Sequence, residues 1–218
     1  MQADSSDMSR SPFRNTNLSL RIVGVDDGAI PVIRRAKQHA LLVAVLFQGC
    51  TISDVRLGRI EVDGRDANRV LKSLLRNLRF DVVMLSGISF GGFNLIDIHQ
   101  LTRSARKPVI AISRERPDNP AVLRALRKHF SDWEERWRIV RNAGRLYTFK
   151  PLPQEPKLYF EVNGASPSFA KKAIASAAMI SRLPEPIRVA GILARGLSVL
   201  TTQTRGNKST FSRTPMKP

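Results

Sequence analysis

Short stretches of alternating or continuous apolar residues dominate the early part of the chain and predict three β-strands before any helix. These stretches cover residues 18–25, 39–48 and 51–62. The middle stretch is apolar almost throughout, as expected of a strand that is buried on both faces. Gly58 interrupts the third stretch and indicates a bulge or break. Because no helical pattern separates the three strands, we expect them to form an antiparallel meander.

Apolar residues at helical spacing then alternate with short strand patterns along the rest of the chain. In the first helical pattern, residues 67–78, aliphatic side chains recur on one face and Asp66 stands at the N-cap position. Three antiparallel strands followed by alternating helices and parallel strands are the element order of the ribonuclease H-like fold, whereas a doubly wound domain alternates from its start. We therefore predict an α/β fold of ribonuclease H-like type, with a mixed sheet flanked by helices. The further helical patterns cover residues 94–106, 119–130, 168–181 and 186–197, and the further strand patterns cover residues 82–85, 109–112, 145–149 and 158–162.

The two ends of the chain differ in composition from the region between them. Residues 1–17 are rich in Ser, Asp, Asn and Gln, which predicts a disordered lead-in. Residues 198–218 contain Arg and Lys but no acid, which predicts a disordered basic tail. Residues 18–197 then form a single domain, of a length that suits one hydrophobic core.

Charge is the compositional feature that most narrows the function. The 218 residues include 36 Lys and Arg against 18 Asp and Glu, a formal net charge of +18. Such an excess favours a polyanionic partner, most simply a nucleic acid, either DNA or RNA, with an anionic membrane surface as the runner-up. No apolar stretch approaches the roughly 20 residues that a membrane-spanning helix needs, and the N-terminus lacks the apolar region of a signal peptide. The sequence therefore predicts a cytoplasmic protein without a membrane partner, and its single cysteine excludes an intrachain disulfide.

Clustered acids stand out in so basic a chain. Asp26 and Asp27 end the first predicted strand, and Asp63 and Asp66 flank the turn after the third. If the first and third strands are neighbours, these carboxylates converge at one edge of the sheet. Carboxylates brought together repel one another unless a cation lies between them, and hard oxygen ligands suit Mg²⁺ or Mn²⁺. The hypothesis is a metal site for phosphodiester cleavage; the alternative is that these acids serve turns and that Asp66 caps its helix.

A nucleophile-elbow pattern, G-x-S-x-G, spans residues 87–91 and makes Ser89 a candidate nucleophile. Asp97 or Asp118 and then His129 follow in the chain order of a serine hydrolase. The pattern has only three fixed positions, and an ordinary esterase substrate does not explain the charge of +18. We favour a Gly/Ser loop at the edge of the strand, because the hydrolase hypothesis requires Ser89 to lie within hydrogen-bond reach of a histidine.

Basic residues are concentrated in the second half of the chain, in two groups. Both groups are candidates for contact with phosphates, and the aromatic residues within the first could stack on a displaced base. For the first group, the alternative is a solvated helix face whose two Trp residues pack inward. The first group comprises Arg136, Arg138, Arg141 and Arg145 with Trp133, Trp137 and Tyr147, and the second comprises Lys171, Lys172, Arg182, Arg188 and Arg195.

Five short motifs occur in order along the chain: GVDDG at residues 24–28, VDGRDA at 62–67, GFNLIDI at 92–98, KPVI at 107–110 and LPEPIRVA at 183–190. In combination they resemble the archaeal endonuclease V-like family called endonuclease dU. The resemblance extends over roughly residues 20–197. It implies a ribonuclease H-like fold and a Mg²⁺-dependent endonuclease that nicks DNA at or near deoxyuridine, with inosine and xanthosine as further candidate sites.

The resemblance also implies roles for individual residues. Asp26 matches the family's metal-binding aspartate on the first strand, with Asp27 beside it. The next acid of endonuclease V falls in the turn that holds Asp63 and Asp66; we favour Asp63 as the second catalytic carboxylate, because it ends the strand, and keep Asp66 as a metal-binding candidate. Arg188 matches the arginine of the Pro-Glu-Pro helix.

Two positions depart from the endonuclease V pattern. Ser86 stands where that family has a metal-binding aspartate, and Gly191 stands where its late helix has Asp or His. Asp97 is a substitute ligand only if the start of its helix points inward, and the Pro-Tyr-x-Pro wedge of endonuclease V is not found. The sequence thus leaves two hypotheses: an active metal-dependent endonuclease, and a catalytically decayed nucleic-acid-binding protein on the same fold.

Overall fold

The computed structural model describes residues 20–30 and 38–206, with side chains described as far as residue 198. The predicted lead-in, residues 1–17, and the end of the predicted tail, residues 207–218, lie outside the described residues. The strands are β1 Arg21–Asp27, β2 His39–Gln48, β3 Thr51–Glu61, β4 Val82–Leu85, β5 Ser89–Phe90, β6 Asn94–Leu95, β7 Val109–Ser113, β8 Tyr147–Phe149 and β9 Leu158–Asn163. The helices are α1 Ala67–Leu75, α2 Ile98–Ala105, α3 Asn119–His129, α4 Trp133–Asn142, α5 Pro167–Ala177 and α6 Glu185–Gly206.

Seven strands form one mixed sheet in the order β3-β2-β1-β4-β7-β9-β8. β1, β2 and β3 pair antiparallel, which confirms the predicted meander. β4 and β7 are the parallel additions, whereas β9 and β8 complete the far edge antiparallel. The predicted α/β class with a mixed sheet and flanking helices is therefore confirmed. β5 and β6 form a separate hairpin that precedes α2.

Local details of β3 and α2 differ from the sequence prediction. Gly58 does not break β3, and the bulge lies instead where the β2–β3 register shifts between Leu46 and Phe47. The helix predicted to start at residue 94 starts at Ile98, because the preceding residues form β6 and Asp97 caps the helix.

The last two helices of the structure also differ in length from the prediction. The helix expected over residues 168–181 ends at Ala177. The helix expected to end at residue 197 continues to Gly206, so the first part of the predicted disordered tail is helical.

Helices cover both faces of the sheet and enclose its aliphatic side chains. α1 and α2 lie over the face that carries Val23 and Val25 of β1. α5 and α6 lie over the opposite face, where Ile22 of β1 and Met84 of β4 are buried. Burial of these apolar surfaces is the main force that stabilises the layers. Within the part of the chain that the structure describes, no helix is both long and apolar enough to cross a membrane.

Helix α6 begins in direct contact with the backbone of β1 at Gly24. A β-carbon at this position would overlap backbone atoms of Pro186 and Ile187. Glycine therefore sets the distance between α6 and the sheet. The same approach brings Gly191 and Arg195, further along α6, beside the end of β1.

Candidate active site at the end of strand β1

Asp26, near the end of β1, is the centre of the candidate site. β1 and β4 are parallel neighbours, and open α/β sheets bind ligands beyond the carboxyl ends of such strands. The Asp26 carboxylate accepts hydrogen bonds from the Ser86 hydroxyl, just beyond β4, and from the Asp27 amide at 3.0 Å. Arg195 of α6 lies 3.8 Å from its other oxygen.

The environment of Asp26 only partly compensates for its lost hydration. Burial raises the pKa of Asp26, because the protein solvates the carboxylate less well than water does. The hydrogen bonds from Ser86 and the Asp27 amide, and the charges of Arg195 and Arg114, act in the opposite direction. The side chain is 15% exposed. A carboxylate in this condition is stabilised when a cation binds it.

Asp27 lies beside Asp26, but its carboxylate has a different partner. Successive residues of a strand point to opposite faces of the sheet. The Asp27 carboxylate accepts a hydrogen bond of 2.5 Å from the Gly91 amide, in the β5–β6 turn. Burial raises the pKa of Asp27 as well. Asp27 therefore holds the hairpin turn against β1.

Asp63 binds the same hairpin from the turn after β3. Its carboxylate accepts a hydrogen bond of 2.8 Å from the Phe93 amide, and its own amide donates to the Gly91 carbonyl at 2.8 Å. Its φ of 57° lies in the left-handed region, which Asp adopts more readily than most residues. These contacts match the alternative interpretation of Asp63 as a turn residue.

Asp66 binds groups at the start of α1. Its carboxylate accepts hydrogen bonds from the Glu61 amide at 3.1 Å and from the Asn94 side chain at 2.7 Å. The Asp66 side chain makes no capping bond; Asn94 caps α1 instead, accepting from the Ala67 amide at 3.0 Å. Asp66 thus orients the residue that caps the helix.

The predicted convergence of all four acids at one edge is wrong, because β2 lies between β1 and β3. Asp26 is level with Val43 of β2, which pairs with Leu57 of β3, well before Asp63. Among the described residues, no three Asp, Glu, His or Cys side chains form a group that could hold a metal ion. Asp26 and Asp27 line a common groove, whereas Asp63 and Asp66 do not line it.

This groove, of about 520 Å³, passes Asp26 and has a basic wall. Arg114 and Arg116 come from the loop after β7, and Arg195 comes from α6. Sequence reasoning named Arg195 and missed the two loop arginines. Their position directly after a parallel strand was the signal that could have found them. Guanidinium groups in this arrangement suit the phosphates of a nucleic acid.

Three other predicted phosphate contacts have different surroundings. Lys171 and Lys172 are exposed on α5 and do not line the groove. Arg188 is bound to Glu185 by hydrogen bonds of 2.6–2.9 Å. Its guanidinium is therefore engaged within α6.

Arg182 binds the loop after β7 that forms part of the groove wall. Its guanidinium donates to the carbonyls of Arg114, at 3.1 Å, and Lys157, at 2.8 Å, and pairs with Glu115 at 3.0 Å. These bonds fix the loop that carries Arg114 and Arg116. Arg182 thus positions the groove arginines indirectly, by fixing the loop that carries them.

Arg136 of the first basic group is a buried structural residue. Its guanidinium donates to the carbonyls of Asp63, Gly64 and Phe93 at 2.6–3.0 Å and pairs with Asp132 at 2.9 Å. It is 6% exposed. Arg136 therefore joins α4 to the turns that follow β3 and separate β5 from β6, and does not present its charge to a ligand.

The aromatic residues near Arg136 are only partly buried. Trp133 and Trp137 lie on α4, and Arg127 of α3 stands 4.7 Å from the centre of the Trp133 ring. The inward packing proposed for the two Trp residues is thus incomplete. The other arginines of the group, Arg138, Arg141 and Arg145, are exposed.

The serine-hydrolase hypothesis is wrong. Ser89 is exposed and its hydroxyl donates to the Gly92 carbonyl; within the described residues no histidine binds it. Asp97 and Asp118 cap α2 and α3 through bonds to backbone amides. The Asp97 carboxylate is also unsuited to replace a metal ligand, because it serves this cap.

A second cavity, of about 280 Å³, adjoins the groove at Ser86 and Ser113. Its walls combine apolar side chains with serine, asparagine and arginine side chains, and Glu161 of β9 is its acidic residue. Burial raises the pKa of Glu161 to about 7. Sequence reasoning missed Glu161, although it is the only acid in an otherwise apolar strand pattern.

Ser86 and Gly191, the two departures from the endonuclease V pattern, both contact Asp26. The Ser86 hydroxyl donates a hydrogen bond to the carboxylate. A β-carbon at Gly191 would overlap the Asp26 carboxylate and approach Arg195 Nη1 to 2.9 Å. The Asp26 side chain thus fills the space that a side chain at residue 191 would need.

We expect Gly191→Ala to lower the activity of the protein without lowering its stability. The added methyl group overlaps side-chain atoms of Asp26 rather than backbone, so we expect the fold to persist. Alanine in a helix gains up to ~1 kcal/mol over glycine. If the cleavage that the sequence predicts depends on Asp26, the displaced carboxylate should lower its rate roughly 100-fold, the typical cost of misplacing a reacting group by ~1 Å. Cleavage rates and thermal melting of both proteins measure the two effects.

Gly196→Ala is the matched control, because a β-carbon at Gly196 of the same helix meets no atom within 4 Å. It should retain the parent rate. Equal rates for Gly191→Ala and Gly196→Ala would contradict the importance of this contact.

Comparisons of sequence agree with the motif-based resemblance. A family model described as Endonuclease dU matches residues 19–198. The UPF0215 protein of Methanothermobacter thermautotrophicus is 36% identical over 197 residues, which cover 88% of this chain and 94% of that protein.

Comparisons of structure agree with the fold. A protein of unknown function from Archaeoglobus fulgidus has a TM-score of 0.71 and 27% identity, covering 82% of this chain and 98% of that one. Endonuclease V of Ciona intestinalis, in complex with a 24mer DNA containing an inosine followed by a ribo-adenosine, has a TM-score of 0.55 and 13% identity, covering 84% of this chain and 87% of that one. The likeness to endonuclease V confirms the predicted ribonuclease H-like fold.

Proposed function

The chain belongs to the endonuclease dU family, and on this basis we propose that it is a metal-dependent endonuclease that hydrolyses a phosphodiester bond at or near deaminated bases in DNA. Deoxyuridine is the first candidate base and inosine the second. The observation that carries the proposal is Asp26, an incompletely solvated carboxylate in a groove with a basic wall. A carboxylate among arginines suits a cation and a phosphate bound side by side.

The donor groups at Asp26 suit Mg²⁺, with Mn²⁺ as an alternative. Mg²⁺ in phosphate chemistry is commonly held by one or two carboxylates, substrate oxygens and waters, so it does not require three protein ligands. Asp26 would hold the ion, and Asp27 is the second candidate ligand, because it lines the same groove although one of its oxygens is bonded to the Gly91 amide. When bound, the ion supplies Lewis-acid stabilisation of the charge on the reacting phosphate.

The chain's own groups position Asp26 and the DNA backbone. The Ser86 hydroxyl orients one carboxylate oxygen, and Gly191 leaves space for the other. Arg114, Arg116 and Arg195 neutralise phosphates along the groove. The inosine-containing DNA bound by the Ciona endonuclease V supports a deaminated strand as the substrate.

Cleavage of end-labelled DNA that carries one deoxyuridine tests the proposal. Parallel strands carry inosine or no lesion, an RNA strand of the same sequence tests the alternative polymer, and each is incubated with Mg²⁺, with Mn²⁺ or with EDTA. We expect nicking beside the lesion that requires the metal. Absence of nicking on every strand with either ion would overturn the proposal.

A catalytically decayed nucleic-acid-binding protein is the second candidate function. The serine at residue 86 and the glycine at residue 191 favour it, because neither supplies the carboxylate or imidazole that endonuclease V places there. Tight binding of the same strands without cleavage under Mg²⁺ or Mn²⁺ would establish this function in place of the first.

A further inference from the structure

The cavity that contains Glu161 adjoins the groove that contains Asp26. The two share Ser86, Ser113 and Pro117 in their walls. A nucleic acid strand whose phosphates follow the groove would therefore present an adjacent base to the mouth of the cavity. Enzymes that act on a base in a duplex turn that base out of the stack into such a pocket.

The size and walls of the cavity suit one base. Its volume of about 280 Å³ lies just below the ~300–1,000 Å³ of pockets for drug-sized ligands. Ile88, Phe93, Val122, Val140 and Leu146 form much of its lining. These apolar side chains would hold an extruded base by contact with its faces. Recognition of its edge is left to the polar groups of the lining, which are Ser86, Ser89, Ser113, Asn119, Arg141 and Glu161.

Glu161 is the polar group best placed for that recognition. It pairs with Ala111 in the sheet and faces the cavity from β9. Among the residues that the structure describes, no other residue donates a hydrogen bond to its carboxyl, and burial is the main cause of its raised pKa. A carboxyl that lines a cavity without a partner from another residue is available to a ligand.

We propose that Glu161 binds the Watson–Crick edge of an extruded base in this cavity, acting as donor and acceptor at once. Uracil and hypoxanthine both present a ring N–H beside a carbonyl. A neutral carboxyl matches this edge, because its O–H donates to the base carbonyl and its C=O accepts the ring N–H. The raised pKa of Glu161, about 7, keeps a substantial neutral fraction near neutral pH. The inference rests on the proposed function for its choice of deaminated DNA as the ligand.

The charged groups around Glu161 are few. Arg141 of α4 is the other charged residue in the cavity lining. On the same face of β9, Asn163 binds His99 of α2 at 2.8 Å, and Lys157 lies 5.7 Å from the ring centre of Tyr159. Burial, the first cause of the raised pKa of Glu161, thus outweighs these neighbours.

DNA binding in EDTA tests the role of Glu161 without requiring cleavage. The probes are one duplex with a single deoxyuridine opposite guanine and the same duplex with an abasic analogue at that position. We expect wild-type protein to prefer the deoxyuridine duplex, and Glu161→Ala to reduce that preference roughly 10- to 100-fold. Glu161→Gln should retain it, because the amide also has a donor and an acceptor.

The pH dependence separates base recognition from a structural role. Between pH 6 and pH 8.5 the wild-type preference should fall as Glu161 ionises and loses its O–H donor, whereas the preference of Glu161→Gln should stay constant. Glu134→Gln, an equal charge change at an exposed position of α4, should behave as wild type. Thermal melting verifies that each variant is folded.

The outcomes distinguish this inference from the proposed function. A preference that depends on Glu161, with no cleavage of any strand, overturns the nuclease and supports Glu161 as the base-binding residue. Cleavage at deoxyuridine with an unchanged preference in Glu161→Ala overturns the role of Glu161 alone. Wild-type protein that binds both duplexes equally also overturns it.

Discussion

Asp26→Asn is expected to lower metal-dependent cleavage by at least about 1,000-fold while DNA affinity stays close to wild type. The amide keeps the shape of the side chain and can still accept the hydrogen bond from Ser86, but it lacks the negative charge that binds a cation. Loss of a group that acts directly on the reaction typically has an effect of this size or larger. Affinity should persist, because it comes mainly from phosphate contacts with the surrounding arginines.

The measurement is single-turnover cleavage of a lesion-bearing strand, with affinity determined separately in EDTA. Asp54→Asn is the matched control: it removes the same charge on β3, where Asp54 pairs with Arg56, and should keep the wild-type rate. A wild-type rate for Asp54→Asn also shows that a loss of nicking in Asp26→Asn does not arise from the preparation of the variants. Cleavage by Asp26→Asn within tenfold of wild type would falsify the assignment of Asp26.

Gly24→Ala is expected to destabilise the protein by about 3 kcal/mol or more. The added methyl group overlaps backbone atoms of Pro186 and Ile187, which cannot move aside as a side chain can. Overpacking of a core costs ~1–3 kcal/mol, and a contact with backbone belongs at the upper end of that range. A whole domain has only about 5–15 kcal/mol of unfolding free energy, so the loss is large.

Urea denaturation measures this loss as a lower midpoint with an unchanged slope. Gly196→Ala again provides the control, since its β-carbon meets open space and should raise stability. Because α6 carries Gly191 and Arg195, we also expect Gly24→Ala to disturb the surroundings of Asp26. A free energy of unfolding within 0.5 kcal/mol of wild type, the usual range for neutral surface changes, would refute the close approach of α6 to β1.

The antiparallel pairing of the first three strands could be predicted because it follows from local patterns, whereas the antiparallel direction of β9 and β8 at the far edge of the sheet was not predicted. The continuous apolar pattern of β2 and the absence of a helix before residue 67 together indicated the meander. Asp26 was found for a similar reason, because an acid at the end of a predicted strand is conspicuous in so basic a chain. The partners of the other acids depend on which strands are neighbours. Since β2 lies between β1 and β3, Asp63 binds the β5–β6 hairpin instead of joining Asp26.

Residues whose role depends on burial were the ones that the sequence did not reveal. Arg136 was counted among exposed phosphate contacts, yet three backbone carbonyls and Asp132 surround it. Glu161 occupies a strand position at which a polar residue normally faces water, and only the packing of α3 and α4 over that face makes it line a cavity. Gly191 was interpreted as a missing ligand, whereas the structure shows that its missing side chain makes room for Asp26.

The last described helix, α6, covers Val43, Val45 and Phe47 of β2, which belongs to the first meander of the chain. During synthesis, that surface stays uncovered until residues 185–198 have left the ribosome. The early strands therefore cannot complete their packing before α6 has emerged. Contacts between elements so distant in sequence slow folding and prolong the exposure of apolar strands. A nascent chain stalled before α6 is thus the form most prone to aggregate and most dependent on chaperones.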